Sequence, residues 1–180
     1  MHHDATRWDD HYRSATPPGP LAPDARADVI ELLPRTGVAI DIACGLGSQS
    51  LWLARRGLEV VALDVSPIAI DALRAAAHAA GLADRIDARM TDLDVGLPAE
   101  PMTADVIVCQ RFRQPSLYTE IADRLAVGGI AIVTVLSEVG TDSPGPFHAP
   151  PGELVAAFDE FEILDAREGD GVAAIAARRR

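Results

Sequence analysis

From residue 38 onward, short apolar runs alternate with segments that have helical spacing, and this alternation limits the fold more than any other feature. Near-continuous apolar strands separated by helices are typical of a mostly parallel sheet that is covered on both faces. Gly169-Asp170-Gly171 lies between the last two runs and predicts a hairpin, which adds an antiparallel strand at one edge. We therefore predict an α/β, doubly wound fold. The predicted strands are residues 38–43, 60–63, 85–90, 105–109, 130–136, 161–166 and 172–177.

The helices between these strands are marked by residues typical of helix ends. Ser66 and Pro67 form a cap followed by a proline at the first helical position, and Gly57 and Gly81 follow the ends of two helices. The predicted helices are residues 24–33, 48–56, 67–80, 115–127 and 153–158.

Two proline-rich segments interrupt this pattern. Residues 1–23 hold Trp8 and Tyr12 four positions apart and then several prolines, including Pro17 and Pro18, so we predict an N-terminal segment or lid. Residues 24–180 are predicted to form a single domain. The second segment, residues 141–152, is long enough to predict a functional loop such as a lid rather than a plain connection.

Charge and cysteine content exclude several classes of function. The chain has 27 acidic residues, 16 basic residues that are all arginine, and a net charge of −11, which disfavours nucleic acid and anionic membranes as partners. No apolar run approaches the roughly 18 residues of a membrane-spanning helix, and no secretory signal is evident. The two cysteines predict a reduced, cytoplasmic location and no disulfide framework. We predict no metal site, and the sequence leaves a monomer or a weak homodimer open.

The loop after the first strand has the features of a cofactor site. Gly45 and Gly47 allow the backbone to pass close to a ligand between a strand and a helix, where doubly wound sheets bind ligands. Asp64 ends the next strand 19 residues after Gly45, where a carboxylate can accept hydrogen bonds from both ribose hydroxyls.

Two further residues distinguish between two cofactors that contain ribose, NAD and S-adenosylmethionine. The third glycine of the dinucleotide fingerprint is replaced by Ser50. Asp41 lies near the end of the first strand, where a carboxylate repels a pyrophosphate and attracts an ammonium group. Because S-adenosylmethionine has an amino group and a ribose but no phosphate, the residues favour it over NAD.

These segments resemble the motifs of class I S-adenosylmethionine-dependent methyltransferases. Asp41–Gly47 resembles motif I and Val60–Ser66 resembles motif II, and the likeness covers nearly the whole chain. The segments at Trp8–Tyr12 and Pro151–Leu154 are similar to small bacterial members related to tellurite-resistance methyltransferases. Further similar segments are residues 91–93, 105–109 and 125–130.

The resemblance implies a Rossmann-like, seven-stranded, mostly parallel sheet in the order 3-2-1-4-5-7-6 with an antiparallel C-terminal hairpin. It also implies that Asp41 lies near the amino group of the cofactor, that Asp64 binds the ribose and that Asp92 binds the adenine amino group. Leu93 then offers its backbone to the ring. The expected cofactor-binding residues are Asp41, Ala43, Gly45, Gly47, Asp64, Val65, Asp92, Leu93 and Cys109.

The acceptor side is less well specified. Methyl transfer depends on alignment and exclusion of water, and it needs a general base only when the nucleophile is protonated. Arg111 and Arg113 follow the fourth strand and are predicted to bind an acidic acceptor, although pairing with nearby acids is an alternative. His11, Tyr12 and His148 are candidate proton acceptors, with packing roles as the alternative, so the catalytic residue stays unassigned.

We therefore expect in-line methyl transfer from S-adenosylmethionine to a small-molecule acceptor. A cofactor-binding protein without transfer activity, such as a sensor or regulatory partner, is an alternative, and an open cavity for an acceptor separates the two. An NAD-dependent oxidoreductase is a further alternative, and nucleotide preference distinguishes it.

Overall fold

A single seven-stranded sheet organises the molecule. The structure is a computed structural model that describes residues 2–16 and 19–180, with side chains from residue 8 onward. Five strands are parallel, and the last two form an antiparallel hairpin in the order β3-β2-β1-β4-β5-β7-β6, which confirms the predicted fold and strand order. The strands are β1 (Val38–Ile42), β2 (Glu59–Asp64), β3 (Ile86–Met90), β4 (Ala104–Gln110), β5 (Leu125–Leu136), β6 (Glu162–Gly169) and β7 (Val172–Arg178).

The five predicted helices are present and differ from the prediction only near their ends, whereas the helix at His2–Arg13 was not predicted. The helix at residues 48–56 has the predicted bounds, whereas the first predicted helix begins only at Ala27. Pro17 and Pro18, part of the predicted N-terminal break, lie outside the described residues. Within the described ranges, no helix is both long and apolar enough to cross a membrane. The helices are α1 (His2–Arg13), α2 (Ala27–Leu32), α3 (Ser48–Arg56), α4 (Pro67–Ala79), α5 (Ser116–Arg124) and α6 (Glu153–Ala157).

The fifth strand begins five residues earlier than the apolar pattern predicts. Leu125 pairs with Ala104, the register then shifts, and regular pairing resumes between Ile130 and Val106. Gly128, inside the shift, has a φ of 80°. The irregular residues break the alternation that identifies a strand in the sequence, and this explains the wrong boundary.

The core consists of two aliphatic layers, one on each face of the sheet. Helices α2, α3 and α4 cover one face, and α5 and α6 cover the other. Successive residues of β1, such as Ala39 and Ile40, pack into opposite layers because side chains alternate along a strand. Phe158 and Tyr118 are the large aromatic side chains buried in the described part of the core. This packing directs the carboxyl ends of β1, β2 and β4 to one edge.

Helix α1 packs against the start of α4 at that edge. The Ser66 hydroxyl accepts a hydrogen bond from the Ala69 amide at 3.2 Å and so caps α4. The same hydroxyl donates to the Asp9 carboxylate of α1 at 2.5 Å. One side chain therefore caps the start of α4 and anchors α1. The division into a segment at 1–23 and a domain at 24–180 stays a prediction.

We expect the variant Gly47→Ala to lose about 2 to 4 kcal/mol of unfolding free energy, because two costs add. Gly47 has a φ of 82°, and a Cβ there would lie 2.2 Å from Leu73 Cδ1 in the core. Gly81→Ala is the matched control, since Gly81 has a φ of 68° and open space around it. Only the backbone cost of about 1 kcal/mol applies to the control. Urea unfolding measures both, and equal losses would show that contact with Leu73 is not the constraint.

Candidate active site

A cavity of about 640 Å³ lies at the carboxyl edge of the sheet, under α1. The ends of β1, β2 and β4 form its floor and one wall, and the residues after β3 and β5 complete it. Both regions that the sequence identified, the cofactor end and the acceptor end, open into this one space. The lining residues are Trp8, His11, Tyr12, Ala43, Asp64, Val65, Asp92, Leu93, Asp94, Gln110, Arg111, Phe112, Arg113, Gln114, Leu136 and Phe147.

Asp64 links the two loops that form the floor. One carboxylate oxygen accepts from the Gly45 amide and the other from the Ser66 amide, each at 2.9 Å. The side chain is only 4% exposed, and its burial raises the pKa of Asp64 above the ordinary value, opposed by these backbone donors. Each oxygen still has a lone pair for another donor, so the carboxylate can accept from a ribose diol.

Asp41 lies beneath the first loop and outside the cavity lining. It is 2% exposed and accepts a hydrogen bond from the Ser50 hydroxyl at 2.5 Å. Burial raises the pKa of Asp41 to about 7, and no cationic side chain pairs with it among the described residues. Ser50 therefore supports the acid from the position where a dinucleotide site has its third glycine. A bound ammonium group would favour the ionised form of this carboxyl, whereas a pyrophosphate would favour its protonated form.

The two glycines of the first loop leave space for different side chains. A Cβ on Gly45 would lie 2.9 Å from the Tyr12 hydroxyl, so this glycine allows α1 to approach the loop. Gly47 faces Leu73 in the core and not the cavity. Ala43, which precedes the loop and lines the cavity, has a φ of 55°. The loop is thus shaped by both the core below and α1 above.

Two acids lie where the adenine is expected. Asp92 accepts from the Asp94 amide at 3.0 Å through one oxygen, and the adjacent Leu93 is buried. The Asp94 carboxylate accepts from the Gln114 side-chain amide at 3.1 Å. The second oxygen of each carboxylate has no partner in the described part of the chain, so both Asp92 and Asp94 have capacity for a further donor.

Arg111, which lines the cavity after β4, has a strained backbone conformation. Its φ is 57°, a conformation that costs a non-glycine residue about 1 kcal/mol or more. The Arg111 amide donates to both the carbonyl and the hydroxyl of Thr134 at 2.9 Å, which holds this conformation. Among the described residues its guanidinium has no ion pair or hydrogen bond. A strained, exposed cation is thus presented at the cavity.

Arg113 is paired with an acid in the same wall. Its Nε and Nη2 donate to the two oxygens of Glu153 at 2.9 and 2.5 Å, and the Tyr118 hydroxyl donates to Glu153 at 2.8 Å. The side chains of Arg113 and Glu153 are 22% and 15% exposed. The pairing that the sequence left as an alternative therefore exists, and Arg113 still lines the cavity.

The three candidate proton acceptors differ in their placement. His148 lies outside the lining, and its Nδ1 accepts from the Gly145 amide at 2.9 Å. Burial, together with the charges of Asp64 and Cys44, raises the pKa of Tyr12 well above its ordinary value, so Tyr12 is a hydrogen-bond donor and not a base. His11 lines the cavity and contacts the Tyr12 ring at a centroid distance of 5.3 Å. His11 is the candidate whose geometry fits best.

Some predicted site residues do not reach the cavity surface, and other residues do. Cys109 is buried, and its thiol lies 3.5 Å from the Phe112 carbonyl oxygen. Asp41, Gly45, Gly47 and His148 also lie outside the lining. The sequence analysis missed several residues that lie at or after the carboxyl ends of β3, β4 and β5, a position that could have identified them. These are Asp94, Gln110, Phe112, Gln114, Leu136 and Phe147.

Comparison with known proteins agrees with this geometry. A family model described as a methyltransferase domain matches residues 39–129, half of the chain. The chain belongs to this family. It is an S-adenosylmethionine-dependent methyltransferase of class I, and S-adenosylmethionine is its cofactor. The matched residues include both loops joined by Asp64 as well as Asp92 and Arg111.

Individual relatives show the same fold with low sequence identity. A probable cobalt-precorrin-6B C(15)-methyltransferase (decarboxylating) of Methanothermobacter thermautotrophicus is 29% identical over 131 residues, which are 71% of this chain and 68% of the relative. TehB from Haemophilus influenzae has a TM-score of 0.74 at 21% identity, over 87% of this chain and 63% of TehB. An S-adenosylmethionine-dependent methyltransferase from Mesorhizobium loti has a TM-score of 0.67 at 18% identity, over 84% of this chain and 96% of that one.

The variant Asp41→Asn should remove a pH dependence of stability. The pKa of Asp41 is raised from 3.8 to about 7 on folding, so the folded state binds the extra proton and the wild type loses stability as pH rises through this window. The unfolding free energy of the variant relative to wild type should therefore grow between about pH 4 and pH 7, the two pKa values of Asp41. Urea unfolding at several pH values measures it, with the exposed Asp71→Asn as control. Parallel curves for Asp41→Asn and wild type would contradict the expectation.

Proposed function

We propose that this methyltransferase acts on a small-molecule acceptor that carries an anionic group and is enclosed in the cavity under α1. The observation that carries the proposal is that carboxylates (Asp64, Asp92 and Asp94) and guanidinium groups (Arg111 and Arg113) together line a single space of about 640 Å³. This volume lies within the range of about 300 to 1,000 Å³ for small-molecule pockets. A cofactor and a small acceptor fit such a space better than a macromolecule does.

The residues at the acidic end fit S-adenosylmethionine. We propose that Asp64 accepts from the ribose hydroxyls, that Asp92 accepts from the adenine amino group and that buried Asp41 favours the ammonium group through its charge. Bound there, the cofactor supplies an electrophilic methyl group on a sulfonium sulfur. The other residues proposed to contact or support it are Ala43, Gly45, Gly47, Val65, Leu93 and Cys109.

The basic residues of the cavity lining suit an anionic acceptor. Arg111 offers an unpaired guanidinium, which binds carboxylates and oxyanions through a planar fork. His11 is proposed to accept the proton of a nucleophile that carries one. Tyr12 and Phe147 also line the cavity and are proposed to limit the access of water, which would strengthen these electrostatic contacts.

A cofactor-binding protein without transfer activity is the second candidate. What favours transfer is that the space lined by Asp64 and Asp92 extends without a break to Arg111, so a second molecule has room beside the cofactor. An NAD-dependent oxidoreductase is disfavoured by the family of the chain and by the buried carboxyl of Asp41 beneath the loop, whose ionised form would repel a pyrophosphate.

Asp64→Ala should weaken binding of S-adenosylhomocysteine by about 1 to 3 kcal/mol, because the ribose hydroxyls lose their acceptor. Isothermal titration calorimetry measures the affinity, and NAD and NADP titrated in parallel test the choice of cofactor. The surface variant Asp71→Ala is the matched control for loss of a negative charge, since Asp71 lies exposed on α4. Unchanged affinity in Asp64→Ala would remove this residue from the site.

Arg111→Ala and Arg111→Gly should both impair methylation of anionic acceptors and leave S-adenosylhomocysteine affinity unchanged. Arg111→Gly should also be more stable than Arg111→Ala by about 1 kcal/mol, because glycine adopts a φ of 57° without strain.

A panel of thiol, amine and oxyanion acceptors, with methyl transfer followed by mass spectrometry, measures activity. Arg74→Ala is the control, since Arg74 lies far along α4 from the cavity lining. Loss of cofactor binding together with activity in the Arg111 variants would indicate a structural role.

A further inference from the structure

Glu153 lies at a junction of three segments around the acceptor wall. It is the first residue of α6 and directly follows the proline-rich segment, with its amide donating to the Pro150 carbonyl at 3.2 Å. Its carboxylate receives Arg113 from the loop after β4 and Tyr118 from α5. A single carboxylate therefore joins the wall of the cavity to the end of that segment.

The geometry of the pair leaves one face of the guanidinium available. Nε and Nη2 of Arg113 form the two-pronged contact with Glu153, and Tyr118 donates to the oxygen that also receives Nε. Nη1 has no hydrogen-bond partner in the ranges the structure describes. Arg113 lines the cavity, and its two bonds to Glu153 hold the guanidinium in place there.

The pair is a costly way to hold the fold. Both side chains are largely removed from water, and the desolvation of two charges offsets much of their attraction. Apolar side chains of similar volume often stabilise such a place equally well or better. A partly buried, two-pronged pair beside a cavity is therefore better explained by what the guanidinium does there.

We propose that Glu153, supported by Tyr118, is a positioning residue that orients Arg113 so that Nη1 binds the anionic group of the acceptor together with Arg111. The inference rests on the proposed function, since it concerns the same acceptor end. It assigns to Arg113 a direct contact with the acceptor and to Glu153 an effect that acts only through Arg113. The pair also lowers the pKa of Glu153 and raises that of Arg113, which keeps both groups charged.

The test uses the full chain saturated with S-adenosylhomocysteine and two probes of equal shape, 4-hydroxybenzoate and its neutral amide. We expect the wild type to bind the carboxylate more tightly than the amide. Glu153→Gln keeps the shape but loses the two-pronged contact, so the affinity for the carboxylate should fall about tenfold. Affinity for the amide and for S-adenosylhomocysteine should not change. Calorimetry below the unfolding midpoint of each variant provides the readout.

Two further variants separate positioning from folding. Tyr118→Phe removes one bond to Glu153 and keeps the ion pair, so the carboxylate affinity should fall only about two- to threefold. In a double-mutant cycle, Glu153→Gln should add no further loss to Arg113→Met, because its effect acts through that arginine. A merely structural role would instead lower the affinity for both probes alike.

The outcomes distinguish this inference from the proposed function. An unchanged preference for the carboxylate in Glu153→Gln, or a loss that adds to that of Arg113→Met, overturns the positioning role alone. No preference for the carboxylate in the wild type overturns both this role and the anionic acceptor. The separate titration with S-adenosylhomocysteine decides the cofactor end in either case.

Discussion

The carboxylate of Asp64 is the interaction on which the rest of the site depends. Strands β1 and β2 end side by side, with Ile42 opposite Leu63, and the Cys44 amide extends this pairing by donating to the Leu63 carbonyl. Asp64 then accepts one amide from each of the two loops that follow. Two backbone donors offset the cost of burying this charge. The floor of the cavity thus has one geometry because both loops are tied to the same side chain.

The side chains that line the cavity carry charges of both signs. Carboxylates (Asp64, Asp92 and Asp94) and guanidinium groups (Arg111 and Arg113) line the same cavity, in a chain with a net charge of −11. This mixture of charges suits the proposed pair of ligands, a cationic methyl donor and an anionic acceptor, since each molecule finds groups of opposite charge.

The fold could be predicted because its signals are local: each strand, helix and connecting loop, including the loop at Gly45 and the strand that ends at Asp64, is visible in a short stretch of sequence. The resemblance supplied the order of strands. The contact between Arg113 and Glu153 joins positions 40 residues apart, and no local pattern records it. Likewise, the sequence pattern predicts that Gly47 binds a ligand, and only the structure shows that it packs against Leu73 of α4. What the sequence could not show depends on which elements meet across the sheet.

The two cysteines acquire a meaning from their places in this arrangement. Cys44 lies buried beside Gly45 in the floor, and Cys109 lies buried beneath Phe112 in the acceptor wall. Burial raises the pKa of both thiols, so a thiol reagent reacts with each only when its covering loop opens. The labelling rates of Cys44 and Cys109 would therefore report separately on the opening of the loops that cover them. A bound ligand would lower the labelling rate of the cysteine whose covering loop it contacts.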